Sequence, residues 1–225
     1  MPPPALLAEL LKPDYAIFAF LSDLKANNNR DWFQANRARC LAEVEAPMRS
    51  FVADVGLRLA ELSPSYAEGS LFRMHRDSRF SRDKTPYKTA VAAQFRHGTH
   101  RKDHSLPGFY VHLAPGHCVG GGGLYRPEPE PLGRVRDRIV AEPEEWAAVL
   151  ASGVEVMGDA LKRPPAGYPH DHRFVDDLKR KDHFSMASFT EAEVCQPDFA
   201  DRYVAACADI APLIAFLTRA LGLTW

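Results

Sequence analysis

The spacing of apolar residues changes twice along the chain. Between residues 14 and 62 they recur every three or four positions, which is typical of helices with one buried face. From Phe72 to Tyr125 the period becomes two, which indicates half-buried strands. Beyond Pro131 the helical spacing returns. This order predicts an α+β fold, with a largely antiparallel sheet of about four to six strands flanked by N-terminal and C-terminal helices.

Polar residues and prolines predict where the helices begin and end. Asn27-Asn28-Asn29 predicts the end of the first helix, because asparagine tolerates the left-handed conformation. Asp31 and Gln34 have capping-box spacing and predict the start of the second helix. Pro47 predicts a break or a kink in the helical run that follows. Further helix starts or breaks are predicted at Asp14, Pro131, Pro143, Thr190 and Pro212.

The alternating segments predict four strands. These cover residues 72–75, 90–96, 109–113 and 118–125. Two further segments are open: residues 183–189 form either a loop or an edge strand, and residues 154–157 are a candidate short strand. A strongly charged segment joins the first two strands, so the sequence predicts a strand–loop–strand unit there.

Composition places the protein among ordinary globular chains. Of its 225 residues 46% are apolar and 25% charged, and the formal net charge is −1. This balance argues against a protein that coats nucleic acid over its whole surface. Residues 1–12 are predicted to be a flexible tail, and residues 13–225 a single domain. Neither a secretory signal nor a membrane span is expected, and the scattered cysteines favour reduced thiols in the cytoplasm, with a Cys195–Cys207 pair left open.

Positive charge is concentrated between Arg73 and Lys88. This stretch holds six basic residues and two acids, a local excess of four positive charges. Arginine binds phosphate or carboxylate with a planar fork, and lysine adds a point charge. The candidate ligand-binding residues here are Arg73, Arg76, Arg79, Ser81, Lys84 and Lys88.

Two acids and a run of glycines extend this candidate site. Asp77 and Asp83 are candidate catalytic residues, acting as a base, as orienting groups for the arginines or as ligands of a divalent cation. Gly121 and Gly122 belong to a run of four glycines whose N–H groups are able to cradle an anion. The alternative for the glycines is a bulge or kink that admits a ligand or a helix. No metal site is predicted, because the loop histidines lack a surrounding motif, and the sequence identifies no cofactor.

Three functions fit this pattern. The first is binding, with hydrolysis or transfer as the chemistry, of a phosphate-containing ligand such as a nucleotide. The second is a non-catalytic module that binds nucleic acid or a nucleotide, in which Phe80, Tyr87 and Tyr125 stack on bases. The third is a structural or interaction protein in which the arginines brace the fold. The brace would use acids elsewhere in the chain, such as Glu128, Glu130, Asp176 and Asp177.

The charged stretch also carries a resemblance. The pattern Phe72-Arg73-x-x-Arg76-Asp77-x-Arg79-Phe80-Ser81-x-Asp83-Lys84-Thr85-Pro86-Tyr87-Lys88 resembles the core motif of a family called domain of unknown function 2461. Supporting stretches lie at residues 27–33, 107–110, 121–125 and 161–165, so the resemblance spans nearly the whole chain. It implies one compact domain and supplies no established activity.

Overall fold

A computed structural model describes residues 15–77, 79, 81–98 and 106–225. Within these residues, five strands form one antiparallel sheet in which each strand pairs with the next strand of the sequence. The strands are β1 (Gly69–Leu71), β2 (Val91–Arg96), β3 (Gly108–Ala114), β4 (His117–Leu124) and β5 (His183–Phe189). The predicted α+β fold with helices flanking the sheet is confirmed, and residues 183–189 are an edge strand. The predicted tail, residues 1–12, lies outside the described residues.

The N-terminal helices form a nearly continuous run. They are α1 (Ala16–Ala26), α2 (Arg30–Ala35), α3 (Arg37–Cys40) and α4 (Ala46–Leu62), with a π-helical segment at Leu41–Glu45. Pro47 is the second residue of α4 and lacks the N–H that a regular helix would bond to the fourth preceding carbonyl. The wider turn lies directly before it, where the N–H of Ala46 bonds to the carbonyl of Leu41. Pro47 therefore marks a change of helix type.

Asn29, and not Asp31, caps the second helix. The Asn29 side chain accepts a hydrogen bond from the backbone N–H of Trp32 at 2.9 Å. Asparagine is among the best N-cap residues, because its short side chain reaches a free N–H of the first turn. The capping box predicted from Asp31 and Gln34 is therefore wrong, since Asp31 already lies inside the helix.

The C-terminal helices follow most of the predicted boundaries. They are α5 (Pro129–Ala141), α6 (Pro143–Ala151), α7 (Val175–Lys179), α8 (Glu191–Val194), α9 (Phe199–Asp209) and α10 (Ala211–Ala220). The start at Pro143 and the capping box of Thr190 are confirmed. Helix α5 starts at Pro129 instead of Pro131. No single described helix is long and apolar enough to cross a membrane; α9 and α10 reach that composition only together, across a bend of 53°.

Two strand predictions need correction. The first strand covers Gly69–Leu71 instead of residues 72–75, because the chain leaves the sheet after Phe72, whose N–H bonds to the carbonyl of Ala92 at 2.9 Å. Pairing resumes in a narrow arm, where His75 bridges Tyr87. Residues 154–157 form no strand; within them only Met157 makes an isolated bridge, to Phe184 of β5.

The sheet has one face against the helices. Helices α4, α9 and α10 pack against this face, and alternate residues of β3 such as Phe109 and Leu113 are buried there. The intervening residues of the central strands point the other way and are partly exposed, as Gln94, Tyr110 and His112 are. We call this second surface the open face.

His183 is a buried ionisable residue at the start of β5. It has no exposed surface, neither ring nitrogen has a hydrogen bond of normal geometry, and its ring meets Trp146 edge-on at 5.9 Å. Burial, helped by the charge of Arg180 and weakly opposed by the backbone of Asp177, lowers the pKa of His183 to about 3. The imidazole is therefore neutral in the folded protein at neutral pH.

We expect His183 to make the fold sensitive to acid. The pKa of His183 is about 6.5 in the unfolded chain and about 3 in the folded chain. Between these pH values the unfolded chain binds a proton at His183 and the folded chain does not. The free energy of unfolding therefore falls as the pH decreases, with a contribution of about 2 kcal/mol at pH ~5. His183→Phe should remove this loss in urea unfolding at two pH values, whereas His170→Phe, at an exposed position, should keep it. Equal acid sensitivity of His183→Phe and the unsubstituted protein would contradict the assignment.

Candidate functional site

The base of the charged loop is clamped by Asn28. Its side chain donates to the carbonyl of Tyr87 at 2.9 Å and accepts from the N–H of the same residue at 3.1 Å. The Tyr87 ring stacks on Phe33, with ring centroids 3.9 Å apart and an angle of 15° between planes. Tyr87 is 2% exposed, so its ring is part of the core and is not available to stack on a base. The clamp fixes the backbone directly before Lys88.

Inside the loop, Asp83 organises Arg76 and Thr85. Arg76 pairs with one oxygen of Asp83 and also donates to the Thr85 hydroxyl at 2.8 Å. The other Asp83 oxygen accepts from the N–H of Thr85 at 2.9 Å and from its hydroxyl at 2.8 Å. The Thr85 N–H, followed by Arg76, lowers the pKa of Asp83 to about 2. Asp83 is therefore an ionised structural group with its oxygens engaged.

Asp77 has a similar arrangement with Arg79. The guanidinium donates to both carboxylate oxygens, at 2.9 and 2.7 Å, which lowers the pKa of Asp77. Lys84 donates to the Arg79 carbonyl at 3.4 Å.

The distant acids considered for a brace have other partners: Glu130 pairs with Arg134, Asp176 with Lys179 and Asp177 with Arg180. Within the loop, Arg76 and Arg79 thus pair with Asp83 and Asp77.

The predicted cations do not share one cavity. Arg73 lines a cavity of about 750 Å³ beside β1 and α4, together with Arg37 and Arg49 and the acids Glu45 and Glu68. Lys88 is half-buried, with its ammonium 5.1 Å from the centre of the Phe72 ring. Neither this cavity nor the groove described next is lined by Arg76, Arg79, Ser81, Lys84, Lys88, Asp77 or Asp83.

A second cavity, of about 740 Å³, is a groove along the open face. Its basic and imidazole side chains come from β2, β3, β4 and the segment after β4: Arg96, His112, His117 and Arg126. Aromatic rings form much of its wall, namely Phe72, Tyr110, Tyr125 and Phe184. No carboxylate lines the groove within the described residues. An anionic ligand would therefore meet no like charge from the described lining residues.

The rings and cations of the groove are in contact with each other. The Phe72 ring contacts the ammonium of Lys88, which lies outside the groove lining, and meets the Tyr110 ring edge-on at 6.1 Å. At the other end, Tyr125 meets Phe184 edge-on at 5.6 Å, and the guanidinium of Arg126 lies 5.2 Å from the Tyr125 ring. Such contacts hold the cations against hydrophobic walls, where their charge is less screened than in open water.

His112 is the central ionisable group of the groove. The Tyr110 hydroxyl and His112 Nδ1 are 3.1 Å apart, and the His117 ring lies 5.5 Å from the His112 ring. Burial, followed by the charges of His117 and Lys88, lowers the pKa of His112. Burial, followed by Arg73, lowers the pKa of Lys88. Each of these groups would gain stability in its charged form if an anion bound beside it.

Comparison with known proteins gives a family and no activity. A family model described as "Conserved hypothetical protein (DUF2461)" matches residues 16–216. The chain belongs to this family. No curated protein and no solved structure gives a significant match. The chemistry of this DUF2461 member must therefore be argued from its own geometry.

The glycine run of this DUF2461 protein lies in the middle of the sheet. Gly121 and Gly122 are buried in β4, which is paired in continuous register with β3 on one side and β5 on the other. A strand paired on both sides uses its N–H groups in the ladders, so these groups do not project towards a ligand. Nor does the register contain the alternative bulge. A Cβ on Gly121 would collide with the Ser185 carbonyl, and one on Gly120 would lie 2.7 Å from the Tyr203 ring of α9.

Sequence reasoning missed most of the groove residues as a site. The period-two pattern places Tyr110 and His112 on the face of their strand opposite Phe109 and Leu113, but nothing in that pattern shows that Arg96, Phe184 and Arg126 lie beside them. The histidine-rich loops form no metal cluster among the described residues, and His100 and His104 lie outside those residues. In the loop that contains His170 and His172, the Nδ1 of His172 accepts a hydrogen bond from the N–H of Phe174 at 3.1 Å.

We expect Gly121→Ala to destabilise the protein. The added methyl group would lie 2.8 Å from the Met186 Cα and closer still to the Ser185 carbonyl, so the β4–β5 ladder would have to shift. A loss of about 2 kcal/mol or more in the free energy of unfolding is expected from overpacking of this kind. Gly133→Ala is the matched control: nothing lies within 4 Å of its added Cβ, and alanine should stabilise helix α5 by up to about 1 kcal/mol. Similar stabilities of the two variants in urea unfolding would contradict the close-packing role.

Proposed function

We propose that the open-face groove binds a phosphate-bearing ligand that contains a flat ring, with a nucleotide as the best-fitting class. The observation that carries the proposal is the composition of the groove: basic and aromatic side chains, with no carboxylate among the described residues that line it. Arginine and lysine recognise phosphate through charge-assisted hydrogen bonds. Aromatic rings bind a flat base by stacking, regardless of its identity.

The size of the groove favours a small ligand over a long nucleic-acid strand. Its volume of about 740 Å³ lies within the range of roughly 300–1,000 Å³ that is typical of small-molecule sites. With a net charge of −1, the protein also lacks the overall positive potential of proteins that bind along a long nucleic-acid strand. Nucleic-acid binding is the second candidate function, and its support is the row of exposed rings, above all Tyr125, which is 58% exposed.

The proposal concerns binding and assigns no catalytic step. Asp77 and Asp83, the carboxylates expected to act in hydrolysis or transfer, are paired with Arg79 and Arg76 and lie outside the groove lining. Hydrolysis and transfer remain predictions from the sequence, to be tested with a panel of phosphoesters and Mg²⁺ or Mn²⁺.

Calorimetric titration with thymidine 5′-monophosphate, ATP, inorganic phosphate and oligothymidylate tests the proposal. We expect nucleotide binding that weakens about tenfold in Arg126→Gln, which removes a charged donor from the groove. Lys25→Gln removes the same charge from the exposed end of α1 and should leave affinity unchanged. Absence of nucleotide binding, or equal affinities of the two variants, would overturn the proposal. Much tighter and salt-sensitive binding of oligothymidylate would favour the nucleic-acid function instead.

Affinity should also depend on pH through His112. An anion next to this imidazole favours its protonated form, so its pKa, lowered in the free protein by burial, rises in the complex. Affinity should therefore increase as the pH falls from neutral into the range of the lowered pKa. The dinucleotide TpT is a suitable probe, because the charge of a phosphodiester is constant there, whereas that of a monoester changes near pH ~6.

His112→Gln should flatten this pH profile. His117→Gln is the necessary comparison, because the His117 ring lies 5.5 Å from the His112 ring and is the other imidazole that lines the groove. Tyr110 and Lys88 also face His112, but their hydroxyl and ammonium groups keep their protons at neutral pH and below. A profile of His112→Gln as steep as that of the unsubstituted protein would exclude His112 as the source.

A further inference from the structure

Arg126, which lines the groove, has an unusual backbone conformation. Its φ is 46°, and in the described part of the chain every other residue with a positive φ is a glycine. A left-handed backbone brings the Cβ of an L-residue close to a carbonyl oxygen, which costs free energy. Pro127 follows directly and by itself favours an extended conformation at Arg126. Contacts from elsewhere in the structure therefore have to hold this conformation.

The side chain of Asp182 provides such a contact. One of its carboxylate oxygens accepts a hydrogen bond from the backbone N–H of Arg126 at 2.5 Å. The pairing of β4 with β5 ends at Leu124 and His183, so this bond lies just beyond the end of the ladder. Hydrogen bonds to a carboxylate are stronger than those between neutral groups. Asp182 thus fixes the backbone of Arg126 where the chain leaves the sheet.

Asp182 is itself held in place. The residue is 6% exposed, and the N–H of the preceding Lys181 donates to the carbonyl of Asp159 at 2.7 Å. Gly158 lies so close that a Cβ on this glycine would be 2.6 Å from the carbonyl oxygen of Asp182 and 2.7 Å from its Cβ. The Asp182 side chain therefore has little freedom to move away from Arg126.

This arrangement leaves the guanidinium of Arg126 available to a ligand. Asp182 bonds to the backbone of Arg126 and not to its side chain. The guanidinium lies 5.2 Å from the centre of the Tyr125 ring, and both side chains are exposed and line the groove. Asp182 is absent from that lining. An anion in the groove is therefore able to reach the guanidinium without contacting the carboxylate of Asp182.

We infer that Asp182 is a positioning residue of the groove, which holds Arg126 in the left-handed conformation and so directs its guanidinium to the phosphate of the ligand. The inference rests on the proposed function and adds a residue that does not itself touch the ligand. A change from positive φ to extended backbone rotates the Cα–Cβ bond relative to the preceding peptide. Loss of the hydrogen bond from Arg126 to Asp182 would therefore move the guanidinium away from the Tyr125 ring.

Two substitutions separate the hydrogen bond of Asp182 from its charge. Asp182→Ala removes both, whereas Asp182→Asn removes the charge and keeps an oxygen that accepts from the Arg126 N–H. Removal of a negative charge by itself would strengthen anion binding. We expect calorimetric titration with thymidine 5′-monophosphate to show binding about fivefold weaker for Asp182→Ala, and unchanged or tighter for Asp182→Asn. Equal affinities of the two variants, or tighter binding by both, would overturn the inference.

A double-mutant cycle with Arg126→Gln shows whether Asp182 acts through Arg126. In the Arg126→Gln background, Asp182→Ala should weaken binding by less than about twofold, because the guanidinium is already absent. The same loss in both backgrounds would indicate a general structural effect and contradict the inference. The control Asp159→Ala removes an exposed carboxylate from the segment that lies against Asp182, and it should not weaken binding. Circular dichroism verifies folding, and Asp182→Leu, which fills the space without an acceptor, replaces the alanine variant if that variant does not fold.

The conformation of Arg126 is testable without a ligand. Arg126→Gly should unfold at a higher urea concentration than Arg126→Ala, because glycine adopts a positive φ without the cost of a Cβ. An equal or lower midpoint of the glycine variant would overturn the inference even if nucleotides bind. If the glycine variant is the more stable one and the unsubstituted protein binds no nucleotide, the proposed function is overturned, whereas the contact that holds Arg126 is supported.

Discussion

Two hydrogen bonds between the Asn28 side chain and the backbone of Tyr87 connect the N-terminal helices to the sheet. They satisfy both backbone groups of one residue at the point where the charged loop returns to the sheet. The stacked ring of Phe33 fixes the Tyr87 side chain from the same helical region. Lys88 follows directly, so its position beside Phe72 depends on this clamp. A contact between residues 59 positions apart thereby places a cation beside a ring that lines the candidate site.

The one-sided packing of the sheet explains where a site is able to form. Helices α4, α9 and α10 bury the apolar residues of β2, β3 and β4, and the glycines of β4 allow the Tyr203 ring and the β5 backbone to approach closely. The opposite residues of the same strands remain available for polar and aromatic side chains. The core therefore specifies the fold, while the alternate positions of the same strands form the groove.

Local patterns in the sequence predict much of the fold. The period-two segments of β2, β3 and β4, the proline at the start of α6 and the capping box of α8 are all visible within a few residues. The candidate site is less predictable, because its parts meet through pairing of distant strands. The charged motif contains Lys88 and Phe72, so a local pattern identifies them. Arg126, Phe184 and Arg96 are brought together only by the β2–β3–β4–β5 register. Asn28 was interpreted as a helix stop, since its partner lies far away in the sequence.

Charge density along a sequence is thus a poor measure of charge offered to a ligand. In the loop, each arginine that faces a neighbouring aspartate is paired with it: Arg76 with Asp83, and Arg79 with Asp77. In the groove, the basic groups are fewer, but no carboxylate lies among the described residues that line it, and their hydrophobic surroundings reduce screening. No carboxylate of the described residues lines the open face, and for this reason that face, more than the loop that drew attention to it, is the better candidate for the site. The loop serves that face chiefly through its base, where the clamp on Tyr87 holds Lys88 over Phe72.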